Sequence, residues 1–281
     1  MSFYNLLQSI KSLKERLSIY GEKHPEVALA YSDCGCAYRE VGGYKQSIEY
    51  LNKGLEIYLD IYAKQNMNVA LAYNNMGGTY NESGDNINAI KYLHIALNTC
   101  INIYGIQHAQ NTLFYDNLGA VYGEVGNIKK ALEFLEKSWN IRNKIYKKDH
   151  PEIAISYNRF GSIYLLQGNY SKSLENKKIA LKIFQNTYGD EDTMVATLYN
   201  NIAVVYDKLK DFEQSKKYHK KALDLRLKIF GNQHPYVAYS YNKLGLIHYD
   251  LGYNEINWLN GSDLLMLRTI TKMYVENYRS I

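Results

Sequence analysis

The chain has 281 residues, of which 46% are hydrophobic and 22% charged, with a formal net charge of +5. That balance is ordinary for a polypeptide that buries a core in water. No stretch approaches the roughly 18 apolar residues of a membrane span, and the opening MSFYNLLQSIKSLKERL lacks the apolar run and small-residue cleavage site of a secretory leader. Membrane insertion is therefore not expected, and the cytoplasm is the expected location.

Residues 2–20 predict an amphipathic helix. From His24 the chain becomes periodic, with six copies of one unit starting at residues 24, 66, 108, 150, 192 and 234. The interval is 42 residues each time, without insertion or deletion, and a fixed period of this size marks an array of stacked repeats rather than separate domains. We accordingly divide the chain into an N-terminal half-repeat or capping helix (1–23), the repeat array (24–251) and a degenerate last helix with a C-terminal cap (252–281).

Within each unit the spacing predicts a first helix, A, over about residues 25–41 of the first copy. Its face carries Tyr31, Tyr73, Tyr115, Tyr157, Tyr199 and Tyr241, then four residues on Gly35, Gly77, Gly119, Gly161, Ala203 and Gly245, then Tyr38, Tyr80, Tyr122, Tyr164 and Tyr206 three further on. Steps of four and three keep these residues on one side of a helix, and a small residue between two rings lets a second helix come close. Pro25, Pro151 and Pro235 suit a first helical position, and Gly42, Gly84, Gly126, Gly168 and Gly252 suit a left-handed stop, with Lys210 the exception. A second helix, B, follows, as in YSKSLENKKIALKIFQNTY at 170–188.

His24, His108, His150 and His234 share their column with Asn66 and Asp192. Caps unify that column better than metal ligation does, so no metal or other cofactor is expected. Cys34, Cys36 and Cys100 form no CxxC pair and are expected to be inert, reduced thiols. Sequons at Asn81, Asn169 and Asn260 need a secretory route to matter. The cluster Lys208, Lys210, Lys216, Lys217, Lys220 and Lys221 fits a solvated outer face, and without a basic stripe of stacking aromatics no nucleic-acid partner is expected. The chain has no P-loop, dinucleotide fingerprint, HExxH or nucleophile elbow, so it is not expected to be an enzyme.

The order Tyr31, Cys34, Gly35, Tyr38, Gly42, Tyr44, Ser47, Leu51 and Gly54, and in the third unit Leu118, Gly119, Tyr122, Gly126, Ala131 and Leu135, resembles the tetratricopeptide pattern. The 42-residue period, with its YG..HP link in YGEKHPEVALAYSDCG and LKIFGNQHPYVAYSYNKLG, resembles the kinesin light chain variant, although that family's heptad region has no counterpart here. The resemblance implies an all-α fold, a right-handed superhelical α-solenoid of helical hairpins, with helix A lining a concave groove. It also implies that the residue after the first Tyr points into that groove.

That column is Ser32, Asn74, Asp116, Asn158, Asn200 and Asn242, and the next is Asp33, Asn75, Asn117, Arg159, Asn201 and Lys243. Seven of these twelve are Asn, where 28 asparagines in 281 residues would place about one, and Asn is a poor residue for mid-helix. Two uses stay open. The carboxamides can pair with the backbone of an extended peptide, as the kinesin light chain resemblance implies, or they can bridge adjacent helices; the first is favoured, most for the first column. The candidate groove is thus Asn74, Asp116, Asn158, Asn200, Asn242, Asn75, Asn117, Arg159, Asn201 and Lys243. Chaperone tails are not expected, because the clamp position one turn on holds Cys36, Gly78, Ala120, Ser162, Val204 and Leu246.

The expected function is a non-catalytic scaffold or adaptor that binds a protein or peptide, with kinesin light chain-like cargo binding one form of it. The alternatives are an oligomerising scaffold that self-associates through its terminal helices, and a regulatory fragment of a larger protein. LLMLRTITKMYVENYRSI at 264–281 resumes an amphipathic pattern whose apolar side could pair with a second copy.

Overall fold

The computed structural model describes residues 2–250 except 63 and 233. Its elements alternate as the period demands: α1 (Ser2–Tyr20), then the hairpins α2 (Pro25–Glu40) with α3 (Tyr44–Tyr62), α4 (Met67–Glu82) with α5 (Asn86–Tyr104), α6 (Asn111–Glu124) with α7 (Ile128–Ile145), α8 (Pro151–Leu166) with α9 (Tyr170–Tyr188), and α10 (Thr193–Leu209) with α11 (Phe212–Phe230), and last α12 (Pro235–Asp250). Every element among the described residues is helical, and the fold is an all-α solenoid. The chain divides into two compact units, one running to Tyr146 and one from Lys147. The expected stop at Gly252, the sixth helix B and the C-terminal cap lie outside the described residues.

The column that mixes His, Asn and Asp is a column of caps. His24, His150 and His234 each accept the amide of the residue two ahead on Nδ1, at 3.1–3.2 Å, and Asn66 and Asp192 do the same through a side-chain oxygen at 2.8 and 2.7 Å. Imidazole adds something the short caps lack. Tyr20 stacks on His24, Tyr104 on His108 and Phe230 on His234, with ring centroids 4.2–4.4 Å apart, so the last aromatic of one helix B is clasped to the start of the next helix A.

Unit three departs from the pattern at this point. Here α6 starts only at Asn111, whose buried carboxamide turns back to donate to the carbonyls of Gly105 and Ile106 at 2.8 and 3.1 Å. Helix A otherwise stops as expected: Gly42, Gly84, Gly126 and Gly168 all sit at φ of +79 to +85°, and Lys210 takes the same left-handed region at +59°. Helix B then starts on Asp85, Asn127, Asn169 or Asp211, each capping an amide three residues ahead.

Packing inside a hairpin rests on a notch. A methyl group placed on Gly35, Gly77 or Gly119 would come within 2.6–2.9 Å of the side chain of Leu51, Leu93 or Leu135, so each leucine fills the space the glycine leaves. The A-helix tyrosine one turn on stacks over the B-helix ring beside that leucine: Tyr80 on Tyr92 at 5.3 Å and Tyr122 on Phe134 at 5.4 Å in the first unit, and Tyr206 on Tyr218 at 5.5 Å in the second. Val27, Val69, Val195 and Val237 are fully buried in one column of the core.

The notch predicts the outcome of a substitution that helix propensity gets wrong. Alanine is about 1 kcal/mol better than glycine inside a helix, but Gly77→Ala drives a Cβ to 2.7 Å from the Leu93 Cγ. Overpacking of this kind costs about 1–3 kcal/mol, so urea unfolding should show a net loss of stability, and pairing Gly77→Ala with Leu93→Val should recover part of it.

Candidate ligand-binding face

In each unit consecutive A helices meet along one face, and their rungs join residues one repeat plus one position apart. Arg39 Nε pairs with Glu82 Oε1 at 3.4 Å, Asn117 Nδ2 donates to Asn74 Oδ1 at 2.8 Å, and Asn81 Nδ2 donates to Glu124 Oε2 at 2.8 Å, all in the first unit. In the second unit Asn201 Nδ2 donates to Asn158 Oδ1 at 3.3 Å. The B helices α3, α7 and α11 are tied instead to the link that precedes their own hairpin: Asp60 of α3 to Lys23 at 3.3 Å, Lys144 of α7 to Gln107 at 3.0 Å, and Lys228 of α11 to Glu191. These surface ties are worth little each.

The predicted positions therefore do not all behave alike. Asn74 with Asn117, and Asn158 with Asn201, are pairs that bridge neighbouring A helices. Ser32 is buried and donates to Ala28 O at 3.1 Å. Asp116, 3% exposed, places Oδ2 2.9 Å from Arg142 Nη1, which also donates to Ser138 Oγ at 2.7 Å. This interior ion pair fixes α7 on α6 and takes up the Asp116 carboxylate. Asn200 is buried, and its Oδ1 has no partner. Asn242 is exposed, and Asn75, Arg159, Asn201 and Lys243 are half-buried at the surface. Lys243 lies over the Tyr239 ring at 5.4 Å.

Two buried ionisable side chains escaped the column reading. The leucine column runs Leu51, Leu93, Leu135 and then breaks to Lys177 and His219. Lys177 is 2% exposed; its stem crosses Gly161 as a leucine would, and Nζ donates to Ser162 Oγ at 3.0 Å and Asn158 Oδ1 at 3.4 Å. His219 is fully buried opposite Ala203, with Nε2 3.4 Å from Asp207 Oδ2, while Ser215 Oγ donates to Asp207 Oδ1 and His219 Nδ1 has no partner. The signal was available: a charged residue in a column whose other members are leucine.

The tetratricopeptide repeat model matches residues 68–144, 111–186, 152–228 and 194–252. The chain belongs to the tetratricopeptide repeat family. Among solved structures, BtubC (BKLC) from P. vanneervenii is 16% identical, with a TM-score of 0.63 over 83% of this chain and 94% of that one. A putative kinesin light chain repeat protein of Podosopora anserina is 16% identical, with a TM-score of 0.58 over 73% and 97%. A tetratricopeptide repeat sensor protein, the STAND ATPase PH0952 from Pyrococcus horikoshii, is 19% identical, with a TM-score of 0.59 over 98% of this chain and 39% of that one. The fold is thus that of kinesin light chain-type tetratricopeptide repeats. No curated protein matches the chain.

Among these tetratricopeptide hairpins the fourth is the one whose notch is filled by a cation. Burial pushes the Lys177 amine down to about 8 from its ordinary 10.5. The folded chain therefore holds this proton less tightly than the unfolded chain. Below pH 8 the site costs its full amount, about 3 kcal/mol, and stability recovers as pH rises from about 8 towards 10.5. Lys177→Leu restores the residue of the first three units, so it should raise the unfolding free energy by about 3 kcal/mol at pH 7, and the difference from wild type should shrink in urea titrations near pH 9.5.

Proposed function

We propose that the chain is a non-catalytic adaptor that binds an extended segment of a partner protein along the A-helix face. Tetratricopeptide membership supports a protein-interaction scaffold. The observation that carries the finer reading is the division of labour within the two columns. Asn74, Asn117, Asn158 and Asn201 spend one amide atom each on a neighbouring helix, while Asn75, Arg159, Asn242 and Lys243 keep polar groups at the surface of that face. A bridging carboxamide still has a second polar atom to offer, so the two uses weighed from sequence coexist in one residue. Kinesin light chain-like cargo is one candidate class of partner. Cys34 and Cys100 are buried, unpaired thiols pushed up to about 11 by desolvation, which suits a reducing compartment such as the cytoplasm.

The test uses a photo-crosslinking amino acid, p-benzoyl-phenylalanine, in place of Asn242 on the A-helix face or of Lys182 on the outer face of α9. Position 242 should trap an extended peptide segment, identified by mass spectrometry of the crosslinked fragment, and position 182 should not. Equal trapping at both positions rejects the groove.

A second reading, self-association, draws on α1. Phe3, Tyr4 and Leu7 are 49–65% exposed in columns where α3 and α7 carry Lys45, Gln46 and Glu49, or Lys129, Lys130 and Glu133. If this patch joins two copies, sedimentation equilibrium should show a dimer that Phe3→Lys with Leu7→Glu converts to monomer; wild-type monomer at high concentration discards the reading.

A further inference from the structure

The rungs that join consecutive A helices are incomplete at α2. Glu82 pairs with Arg39, and Glu124 accepts from Asn81, so a glutamate near the end of one A helix receives a donor from the A helix before it. The same column holds Glu40, which is exposed and has no hydrogen-bond or ion-pair partner among the described residues. Seven residues earlier lies the column in which Asn117 reaches Asn74 and Asn201 reaches Asn158, and there α2 carries Asp33. Arg16 of α1 stands 4.0 Å from its carboxylate. Carboxylates only accept, so α2 presents two half-rungs that both call for a donor. Two helical turns separate them, which keeps them on one side of α2, about 10 Å apart along its axis.

Between these acids and α1 lies an open cleft of about 370 Å³, whose α1 wall is Asn5, Gln8, Ser9 and Ser12. In α3 the same positions are Ser47, Tyr50, Leu51 and Gly54, and in α5 Ala89, Tyr92, Leu93 and Ala96, where the ring and the leucine grip the A helix of their own hairpin. Carboxamides and hydroxyls in their place leave a Tyr–Gly–Tyr face without its apolar counterpart and would be left unsatisfied beneath it. The wall therefore disfavours an A helix of a second copy and suits a helix with a polar surface. Cys36, on the α2 side of the cleft, narrows the choice of donor. It stands in the column of Gly78, where an added methyl group would come 2.8 Å from Arg39 Nη1, so a lysine tip fits beside it better than a guanidinium does.

We propose that the cleft between α1 and α2 docks a helix of a partner protein carrying two lysines seven residues apart, one seated on Asp33 and the other on Glu40. The docked helix continues the row of A helices beside α2. It is a different ligand in a different place from the extended segment of the groove reading, and it does not depend on that reading.

The half-buried Cys36 reports occupancy of the full chain, since Cys34 and Cys100 are buried. Its alkylation by iodoacetamide is followed by mass spectrometry with two probes of identical composition. Both are sixteen-residue alanine–glutamine helices held by a hydrocarbon staple, one with two lysines seven residues apart and the other with them five apart, on different sides. At saturation the first probe should slow labelling of Cys36 by about tenfold or more, and the second should not. Glu40→Gln should weaken the first probe by up to about fivefold, as loss of one exposed ion pair does, and Asp33→Asn with Glu40→Gln should remove the protection while leaving the probe-free labelling rate as it was. Equal protection by the two probes, protection by neither, or protection that survives the double substitution overturns the proposal. Protection that grows with protein concentration in the absence of a probe overturns it in favour of a second copy. Peptide trapping at position 242 is read on the unsubstituted acids with no probe present, so the groove and this cleft fail separately.

Discussion

The close approach of two helices within each hairpin is the constraint from which the rest follows. Where glycine faces leucine, as in Gly35 with Leu51, Gly77 with Leu93 and Gly119 with Leu135, the helix axes come close enough for the flanking rings to stack, and the hairpin becomes a rigid unit. A single hairpin buries only part of its apolar surface, so the valine and alanine columns must be covered by the next one. Period, notch and stacking are thus three consequences of one packing rule. At three links a stacked aromatic and histidine, Tyr20 with His24, Tyr104 with His108 and Phe230 with His234, clasp one helix B to the start of the next helix A.

Deviations from the rule are informative because the repeat supplies its own controls. Ala203 replaces glycine in the hairpin where His219 replaces leucine, a paired change that moves bulk from one helix to the other. Gly161 keeps its hydrogen and meets the stem of Lys177, so the fourth hairpin retains the geometry of the notch but trades an apolar tip for a charge. Nothing in packing requires that trade. A lysine stem fills the notch as leucine does, and its extra length carries the ammonium from α9 to Asn158 and Ser162 of α8.

The sequence made the scaffold readable because each architectural position recurs six times. Caps at His24, Asn66 and Asp192, stops at Gly42 through Gly168, and the Tyr–Gly–Tyr face are local statements that recur in most copies, and averaging over copies removes accidents. The start of α6 was not readable, because Asn111 ties a loop to Gly105 through a contact that occurs once. The site lies between these cases. Columns of asparagine picked out residues that share the A-helix face, yet column membership could not show that Asn74 and Asn117 meet across one repeat plus one residue, since that depends on the stagger between hairpins. Asp116 belongs to the same column and is spent on Arg142, whose own column holds Arg16, Arg142 and Arg226 beside Tyr58, Cys100 and Phe184.

Asn158 brings these strands of argument together. Within its column it is one asparagine of four, and composition already marks it as more than chance. In the structure it has two attachments on one oxygen, Asn201 from the next A helix and Lys177 from its own hairpin partner. Each attachment has a different origin: the first follows from the stagger of the repeats and recurs at Asn74, and the second exists only where the leucine column breaks. A residue that is architectural by the first criterion becomes particular by the second. Both bonds fall on its oxygen, so its amide nitrogen is oriented by them and has no acceptor among the described residues.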